Sequence, residues 1–299
     1  MSSTRQENAA THPSGDGAAG RRCVSLDELA RLELVETHIS RVFLAEREVF
    51  KLKKHVDLGF LDFTTPRRRL EACRAEVELD RRLAEDVYLG VLPVVDADAR
   101  DSHEPVDWAV HMRRLAAACR GDRLPAHGAL GWRQTVAIAE ALAEFHRHAA
   151  RPEPGHGLGG VATIERNVVE NFDQAEGWLD ESLDAAEARE IEQWQLRFLA
   201  DNVGLIQRRL EQGRVCEGHG DLRLEHLYFL ADRPARQGLR IVDCVEFNRR
   251  FRVADVCADI AFLAMDLTWN GAPLPAERFR GSCAGEGNGL DSHALGAAR

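Results

Sequence analysis

The chain has no Cys-x-x-Cys pair, although its 299 residues include seven cysteines. The odd number and wide spacing argue against a disulfide framework or a structural zinc site and favour a reducing compartment. No apolar run is long enough to cross a bilayer, and the N-terminus lacks the apolar core of a secretory signal. These absences together predict a cytoplasmic protein.

An excess of positive charge is also missing. The net charge is −10, with 29% charged and 44% hydrophobic residues. A generally basic surface for nucleic acid or for anionic membranes is therefore not expected. The acidic balance does not exclude an anionic ligand, because a local group of lysines or a bound cation can hold phosphate.

The hydrophobic pattern divides the chain into four segments. Residues 1–24 have few large apolar residues and are expected to be a disordered leader. Residues 25–113 predict a β-rich lobe with one long helix after Pro66, and residues 114–270 predict a helical lobe. Residues 271–299 are rich in glycine without helical periodicity and predict an irregular tail. The pattern thus predicts an α+β protein with two lobes.

Two acidic residues in the second lobe have the spacing that phosphoryl transfer requires. Asp221 lies in a His-Gly-Asp-Leu segment that predicts a tight loop, His226 follows five residues later, and Asp243 ends a predicted strand. Phosphoryl transfer needs one acidic residue to orient the acceptor hydroxyl and another to hold Mg²⁺ against the phosphates. The two aspartates match these requirements.

In these motifs the sequence resembles the aminoglycoside phosphotransferases and their kinase-like relatives. It is most similar to an uncharacterised bacterial branch, some of whose members are fused to a P-loop ATP-binding domain. The matching segments are Glu36-Thr37-His38-Ile39-Ser40, Lys51-Leu52-Lys53-Lys54, His219-Gly220-Asp221-Leu222-Arg223-Leu224-Glu225-His226 and Ile241-Val242-Asp243-Cys244-Val245-Glu246-Phe247-Asn248. The resemblance covers roughly residues 25–270. No Gly-x-x-x-x-Gly-Lys-Ser/Thr occurs, so a P-loop domain is not expected here.

The resemblance implies a bilobal, protein-kinase-like fold that binds ATP and Mg²⁺ and phosphorylates a hydroxyl of a small molecule, for example an aminoglycoside, a sugar or an amino alcohol. Asp221 would be the catalytic base, Asp243 the main Mg²⁺ ligand, and His226 would stand where most relatives have a metal-binding asparagine. Lys53 would contact the α- and β-phosphates and Glu76 would pair with it. The 108–114 segment, including Met112, would be the connection between the lobes whose backbone reads adenine. Asp255 and Asp259 resemble a helix position that braces the catalytic loop.

Several assignments have alternatives at the level of sequence. Lys51 shares a face of its strand with Lys53 and is the second choice for the phosphate lysine, and Glu71 or Glu78 could replace Glu76. His226 is equally compatible with a metal contact and with a loop hydrogen bond, because Mg²⁺ prefers oxygen ligands. His219 is expected to shape the loop. Glu246 and Asn248 could contribute to the metal site or to loop geometry.

The sequence departs from the family pattern in two places. The first hairpin has no glycine-rich loop, so hydroxyl and backbone donors around Ser40 would have to bind phosphate instead. The recognisable region ends near Leu267, which suggests a shortened second lobe. Two other functions are therefore considered: a nucleotide-binding protein without turnover, and a metal-dependent hydrolase built on His219, Asp221 and His226. The sequence does not identify the acceptor or the oligomeric state.

Overall fold

A six-stranded sheet forms the first lobe of the computed structural model, which describes residues 23–96, 104–124, 130–153, 155–175 and 184–285. Across the sheet the order is β1-β5-β6-β4-β3-β2; β1 and β5 are parallel and the other neighbours antiparallel. The strands are β1 (Val24–Ser25), β2 (Glu33–Glu36), β3 (Ser40–Leu44), β4 (Glu48–Lys53), β5 (Tyr88–Val95) and β6 (Asp107–Arg113). Most of the predicted leader lies outside the described residues, but its last residue, Val24, is fully buried in β1.

The two faces of β4 have different partners. Phe50 and Leu52 pack into the core of the sheet lobe, whereas Lys51 and Lys53 lie on the opposite face, as the period of two in a strand requires. Two helices belong to this lobe, namely α1 (Leu26–Ala30) and α2 (Pro66–Ala84). A capping box of Ser25 and Glu28 starts α1, and Thr65 caps α2 ahead of a proline at its first position. Helix α2 lies against the face of the sheet that carries the lysines.

The second lobe is mainly helical. Its helices are α3 (Trp132–His148), α4 (Val161–Ala175), α5 (Ala185–Asp201), α6 (Val203–Glu211), α7 (Ala235–Gly238), α8 (Arg249–Arg252), α9 (Val256–Trp269) and α10 (Pro273–Gly285). Two small antiparallel pairs join β7 (Val215–Glu217) to β10 (Val253–Asp255) and β8 (Leu227–Phe229) to β9 (Leu239–Ile241). The predicted α+β architecture with a sheet lobe and a helical lobe is confirmed. Among the described residues, no helix has the combination of length and apolar character needed to cross a membrane.

Helices α5 and α6 follow each other almost without interruption. The break is at Asn202, whose backbone leaves the helical region and whose side chain donates to the carbonyl of Phe198 at 2.8 Å. Short amide side chains compete with the backbone for hydrogen bonds in this way, which is why they interrupt helices.

The prediction of irregular chain from residue 271 is wrong for Pro273–Gly285, which forms α10. Ala276, Phe279 and Cys283 are almost completely buried against α3 and α9. Their spacing of three and four residues is a helical stripe, but small residues and glycines dilute its hydrophobic signal. Residues 286–299 of the predicted tail lie outside the described residues.

The connection between the lobes begins later than the sequence suggested. Residues 108–113 belong to β6, a strand inside the sheet, and Met112 pairs with Val49 on one side and with Tyr88 on the other. Met112 is the last but one residue of this strand, and its expected role in reading adenine stays a prediction. The chain leaves the sheet at Arg114, whose N–H donates to the carbonyl of Arg47 at 2.8 Å.

Candidate active site

The loop between β7 and β8 carries Asp221. Leu222 and Leu224 are fully buried in the core of the helical lobe, so the alternate residues Asp221 and Arg223 face outward and keep 34% and 40% of their side chains exposed. Gly220 has a φ of +86°, and a Cβ there would lie 3.1 Å from the carbonyl oxygen of Phe251. Glycine is therefore required both by the turn and by the close approach of the neighbouring chain.

Asp259, in the first turn of α9, holds the loop of Asp221 through hydrogen bonds to its backbone. Its carboxylate accepts the N–H groups of His219 and Gly220, each at 3.0 Å, and lies 2.9 Å from Nε2 of His146. Burial would raise the pKa of Asp259, but the hydrogen bond and charge of His146 outweigh burial and lower the pKa to about 2. Asp255 does not share this position. It caps α9 and forms an ion pair with Arg209.

His219 is a structural member of the loop. Its ring is fully buried, with Nε2 3.0 Å from the carbonyl oxygen of Val242 and Nδ1 accepting the N–H of Asp221 at 3.3 Å. Burial lowers the pKa of His219 to about 4, so the ring stays neutral at physiological pH. Because both ring nitrogens face backbone groups, His219 has no atom free to bind a metal, which argues against the hydrolase hypothesis.

The carboxylate of Asp221 is partly exposed and lies beside Arg223. Nε of Arg223 lies 3.1 Å from its Oδ1. Burial raises the pKa of Asp221 above the usual value for aspartate, and the positive charges of His226 and Arg223 partly oppose that rise. A carboxylate with a raised pKa is a better proton acceptor than an ordinary surface aspartate.

His226 lies between the two aspartates. Its Nδ1 is 2.7 Å from the backbone carbonyl oxygen of Asp221, and its Nε2 is 3.6 Å from Oδ2 of Asp243. A carbonyl oxygen can only accept, so Nδ1 carries the hydrogen and Nε2 faces Asp243. The loop hydrogen bond is therefore present, while the metal contact stays a prediction.

Five charged side chains alternate in sign along the junction of the lobes. In order they are Asp243, Lys51, Glu76, Lys53 and Glu246. The Nζ of Lys51 lies 3.0 Å from Glu76 and the Nζ of Lys53 lies 2.5 Å from it, while the outer pairs are direct hydrogen bonds. We call this set the charge row. Glu76 is the helix carboxylate in this row, so the structure gives no part in it to Glu71 or Glu78.

The two lysines of the charge row differ in exposure. Lys53 is enclosed between Glu76 and Glu246 and its side chain is 0% exposed, whereas the side chain of Lys51 is 12% exposed and touches Asp243. Burial alone would lower the pKa of Lys51, but the charges of Asp243 and Glu76 overcome it and raise the pKa. Lys51 is therefore the lysine beside Asp243, and the expected contact of Lys53 with the phosphates stays a prediction.

The backbone of Asp243 is held by the sheet lobe. Asp243 has a φ of +67°, its N–H donates to Oη of Tyr88 at 3.1 Å, and the next N–H, of Cys244, donates to Oδ1 of Asp80 at 2.9 Å. Burial raises the pKa of Asp80 well above the usual aspartate value. The sequence analysis missed both side chains. The signal for Asp80 was its position one helical turn after Glu76 on the same face; Tyr88 had none.

Ser40 lies at the end of the turn that joins β2 to β3. It is fully buried, and its hydroxyl makes no hydrogen bond to any described residue. Thr37 closes the turn, because its Oγ1 accepts the N–H of Ser40 at 3.0 Å and also contacts the Ser40 carbonyl. The Ser40 hydroxyl is therefore enclosed in this turn, and the expected phosphate contact stays a prediction.

Asp243 and His226 are suited to a metal ion whose remaining ligands come from a bound nucleotide and from water. Within the described ranges, no group of three or more His, Cys, Asp or Glu side chains could hold a metal ion. Asp243 offers Oδ2, and His226 faces it with Nε2. A carboxylate oxygen fits Mg²⁺, which usually takes one or two carboxylates plus phosphates and waters. The donor set thus fits a cation held jointly with a nucleotide.

A cavity of about 640 Å³ is lined by residues from 59–60, α4 and 248–250. Arg250, in its wall, precedes Phe251 and Arg252, whose backbone packs on Gly220 of the catalytic loop. The lining includes Phe60, Arg166, Glu170, Asp173, Asn248 and Arg250. Glu170 forms ion pairs with both arginines, and Asn248 donates to the carbonyl of Phe60 at 3.3 Å. The wall is therefore polar, with its charges largely balanced.

Comparison with known proteins gives relatives without an established activity. No protein-family profile matches the chain. Uncharacterised proteins of Mycobacterium tuberculosis (strain H37Rv) and Mycobacterium bovis are each 34% identical over 262 residues, which cover 87% of this chain and 50% of the relative. The chain thus spans about half the length of the curated relatives that it matches.

Among solved structures, similar chains include two kinases and a protein of a kinase family. A glucosamine kinase is 16% identical with a TM-score of 0.43, covering 89% of this chain and 66% of its own. A choline/ethanolamine kinase family protein from Mesorhizobium loti is 12% identical with a TM-score of 0.46, covering 95% and 75%. Plasmodium vivax ethanolamine kinase is 11% identical with a TM-score of 0.47, covering 91% and 72%.

Proposed function

We propose that the chain is an ATP-dependent phosphotransferase that transfers the γ-phosphoryl group to a hydroxyl of a small molecule. The observation that carries the proposal is the charge row ending at Asp243, with His226 linking Asp243 to Asp221. Phosphoryl transfer requires a carboxylate for the acceptor hydroxyl, a cationic side chain on the phosphates and a carboxylate for the metal. These groups come together at one junction between the lobes.

Each residue of the site has a distinct task in this proposal. Asp221 orients the acceptor hydroxyl and accepts its proton as the hydroxyl oxygen bonds to the γ-phosphorus, while the bond from that phosphorus to the β–γ bridging oxygen breaks and ADP leaves. Lys51 neutralises phosphate oxygens, and Glu76 holds Lys51 in place. Asp243, with His226 beside it, would hold Mg²⁺, which supplies charge neutralisation to the β- and γ-phosphates. The protein's contribution is positioning and electrostatic stabilisation.

Lys51 replaces Lys53 as the proposed phosphate lysine. A lysine that touches the metal carboxylate and reaches solvent can meet a nucleotide, whereas a lysine enclosed by two buried carboxylates cannot. We assign Lys53 and Glu246 to holding Glu76 and the strand in position.

We place the acceptor in the 640 Å³ cavity, because Arg250 in its wall directly precedes the two residues that pack on Gly220 of the catalytic loop. Arg166 and Arg250 are paired with Glu170, so the wall lacks the strong negative charge that a polycation would need. We therefore expect a neutral hydroxyl compound, such as a sugar or polyol, to be a better acceptor than an aminoglycoside. Relative kcat/KM values over both classes test this placement, and a preference for polycations would contradict it.

Nucleotide binding is the first experiment. Titration calorimetry with ATP and Mg²⁺ should give saturable binding to the wild-type chain, and ATP should raise its unfolding temperature. Lys51→Met should weaken binding clearly, and Asp243→Ala should abolish ATP consumption. Wild-type binding without turnover over a broad panel of hydroxyl compounds would instead support a nucleotide-binding protein that has lost activity. Absence of ATP binding would refute both.

A further inference from the structure

We infer that Asp80 and Tyr88 are positioning residues that hold the metal carboxylate Asp243 in its working orientation, an inference that rests on the proposed function. Asp243 is the one non-glycine residue with a positive φ in the described part of the chain. An L-residue in this conformation is strained and persists only where its surroundings fix it. Neighbouring groups must therefore hold the backbone of Asp243 in this conformation.

Four consecutive N–H groups around Asp243 are bound. The outer two, of Val242 and Val245, donate to the carbonyls of His226 and His219 in the catalytic loop, each at 3.0 Å. The inner two are bound by side chains of the sheet lobe. The N–H of Asp243 donates to Oη of Tyr88 and that of Cys244 to Oδ1 of Asp80. The orientation of the carboxylate thus depends on both lobes.

The buried environment of Asp80 indicates that its carboxyl group serves to accept the N–H of Cys244. Asp80 is 0% exposed, and its second carboxyl oxygen makes no hydrogen bond to any described residue. Burying a carboxyl group is unfavourable unless its hydrogen bonds repay the lost hydration. Oδ1 of Asp80 nevertheless binds only the N–H next to Asp243 among the hydrogen bonds of the described chain. Replacing Asp80 by an apolar residue would leave the buried N–H of Cys244 without its acceptor.

The same helix also holds the other parts of the site. From α2, Glu76 holds Lys51, and Arg82 donates to the carbonyls of Glu217 and Gly218 at 2.9 and 3.2 Å, just before the catalytic loop. Asp80 lies between Glu76 and Arg82 in the sequence. Helix α2 is therefore connected to the backbone of the metal carboxylate through Asp80.

Three variants test the inference. Tyr88→Phe removes only the acceptor oxygen, Asp80→Ala removes the acceptor carboxyl, and Asp80→Asn keeps an acceptor oxygen in the same place as a matched control. We measure Mn²⁺ affinity in the presence of a non-hydrolysable ATP analogue by electron paramagnetic resonance, together with kcat and KM for MgATP. Tyr88→Phe and Asp80→Ala should each weaken Mn²⁺ binding about tenfold, the effect of losing one hydrogen bond. Asp80→Asn should stay within about twofold of wild type.

The controls separate a positioning role from a structural one. Thermal unfolding is recorded for every variant, and metal affinity is measured where each is folded. If Tyr88→Phe and Asp80→Ala lower the unfolding temperature but bind Mn²⁺ with wild-type affinity, the two residues are structural and the inference is refuted. An Asp80→Asn variant as weak as Asp80→Ala would also overturn it. If the wild-type chain binds no metal–nucleotide complex, the proposed function itself fails.

Discussion

Replacing Lys53 by methionine is expected to destabilise the folded chain much more than the same change at Lys51. The Nζ of Lys53 lies between Glu76 and Glu246, and the three side chains are 0%, 0% and 4% exposed. Methionine fills similar space but leaves the two carboxylates without the cation between them. Glu76 keeps Lys51 at 3.0 Å, whereas Glu246 loses the lysine that offsets its burial.

The magnitude follows from the burial of the charges. Removing one partner of a buried ion pair costs about 3–5 kcal/mol of unfolding free energy, because an uncompensated charge stays inside. Typical total stabilities are about 5–15 kcal/mol, so Lys53→Met should remove a large fraction of the stability. At about 2–4 °C per kcal/mol for a chain of this size class, the unfolding temperature should fall on the order of 10 °C. Lys51→Met should cost clearly less, since Lys51 is partly exposed and Asp243 is 43% exposed.

Urea unfolding monitored by circular dichroism measures both variants under identical conditions. The double variant Lys53→Met/Glu246→Gln removes the stranded charge and should recover at least half of the stability lost in Lys53→Met. Lys51→Met should remain folded but lose nucleotide affinity. Equal stability losses for the two methionine variants, or no recovery in the double variant, would refute this account of the charge row.

Three further predictions concern the catalytic loop and its neighbours. Arg223→Ala removes a positive charge that opposes the burial-induced rise in the pKa of Asp221. The pKa of Asp221 should therefore rise further, and the acidic limb of the kcat/KM profile should move to higher pH. An unchanged pH profile would exclude Asp221 as the group that titrates in this limb. Asp259→Asn keeps the shape of the side chain but removes the negative charge that accepts hydrogen bonds from two loop N–H groups. The value of kcat should fall by one to two orders of magnitude, where each tenfold corresponds to about 1.4 kcal/mol of activation free energy. The KM for ATP should change little. The free energy of unfolding should depend on pH through Asp259, because folding lowers the pKa of this carboxyl to about 2. The stabilisation by Asp259 is present above the unfolded pKa near 4 and is lost as the pH falls toward 2. Urea unfolding between about pH 2 and pH 7 should therefore show the stabilities of wild type and Asp259→Asn converging at low pH.

Much of the sheet lobe was predictable because its signals are local. Strand alternation, the capping box at Ser25 and the proline that starts α2 each depend on residues a few positions apart. The charge row was only partly predictable. Period-two alternation placed Lys51 and Lys53 on one face, but which lysine meets Asp243 depends on how α2 and the 241–248 segment pack against the sheet. No local pattern encodes that arrangement.

The errors have physical causes of the same kind. Helix α10 was missed because its buried stripe consists mainly of small residues, and residues 108–113 were assigned to a connection although β4 and β5 enclose them as a strand. Asp80 and Tyr88 act on the backbone N–H groups of a segment about 160 residues away. Such contacts leave no signature in spacing or composition. A buried acid on the same face as Glu76 was the one available hint.

The central claim is that Asp221 is the catalytic base of a phosphotransferase. The most direct test measures transfer of label from γ-labelled ATP to a panel of neutral hydroxyl compounds by wild type, Asp221→Asn and Asp232→Asn, the last changing an exposed carboxylate outside the site. The account predicts labelled acceptor with wild type and Asp232→Asn. For Asp221→Asn it predicts turnover lower by at least about a hundredfold, the contribution expected of a general base, with ATP affinity retained. Wild-type rates of transfer by Asp221→Asn would contradict it.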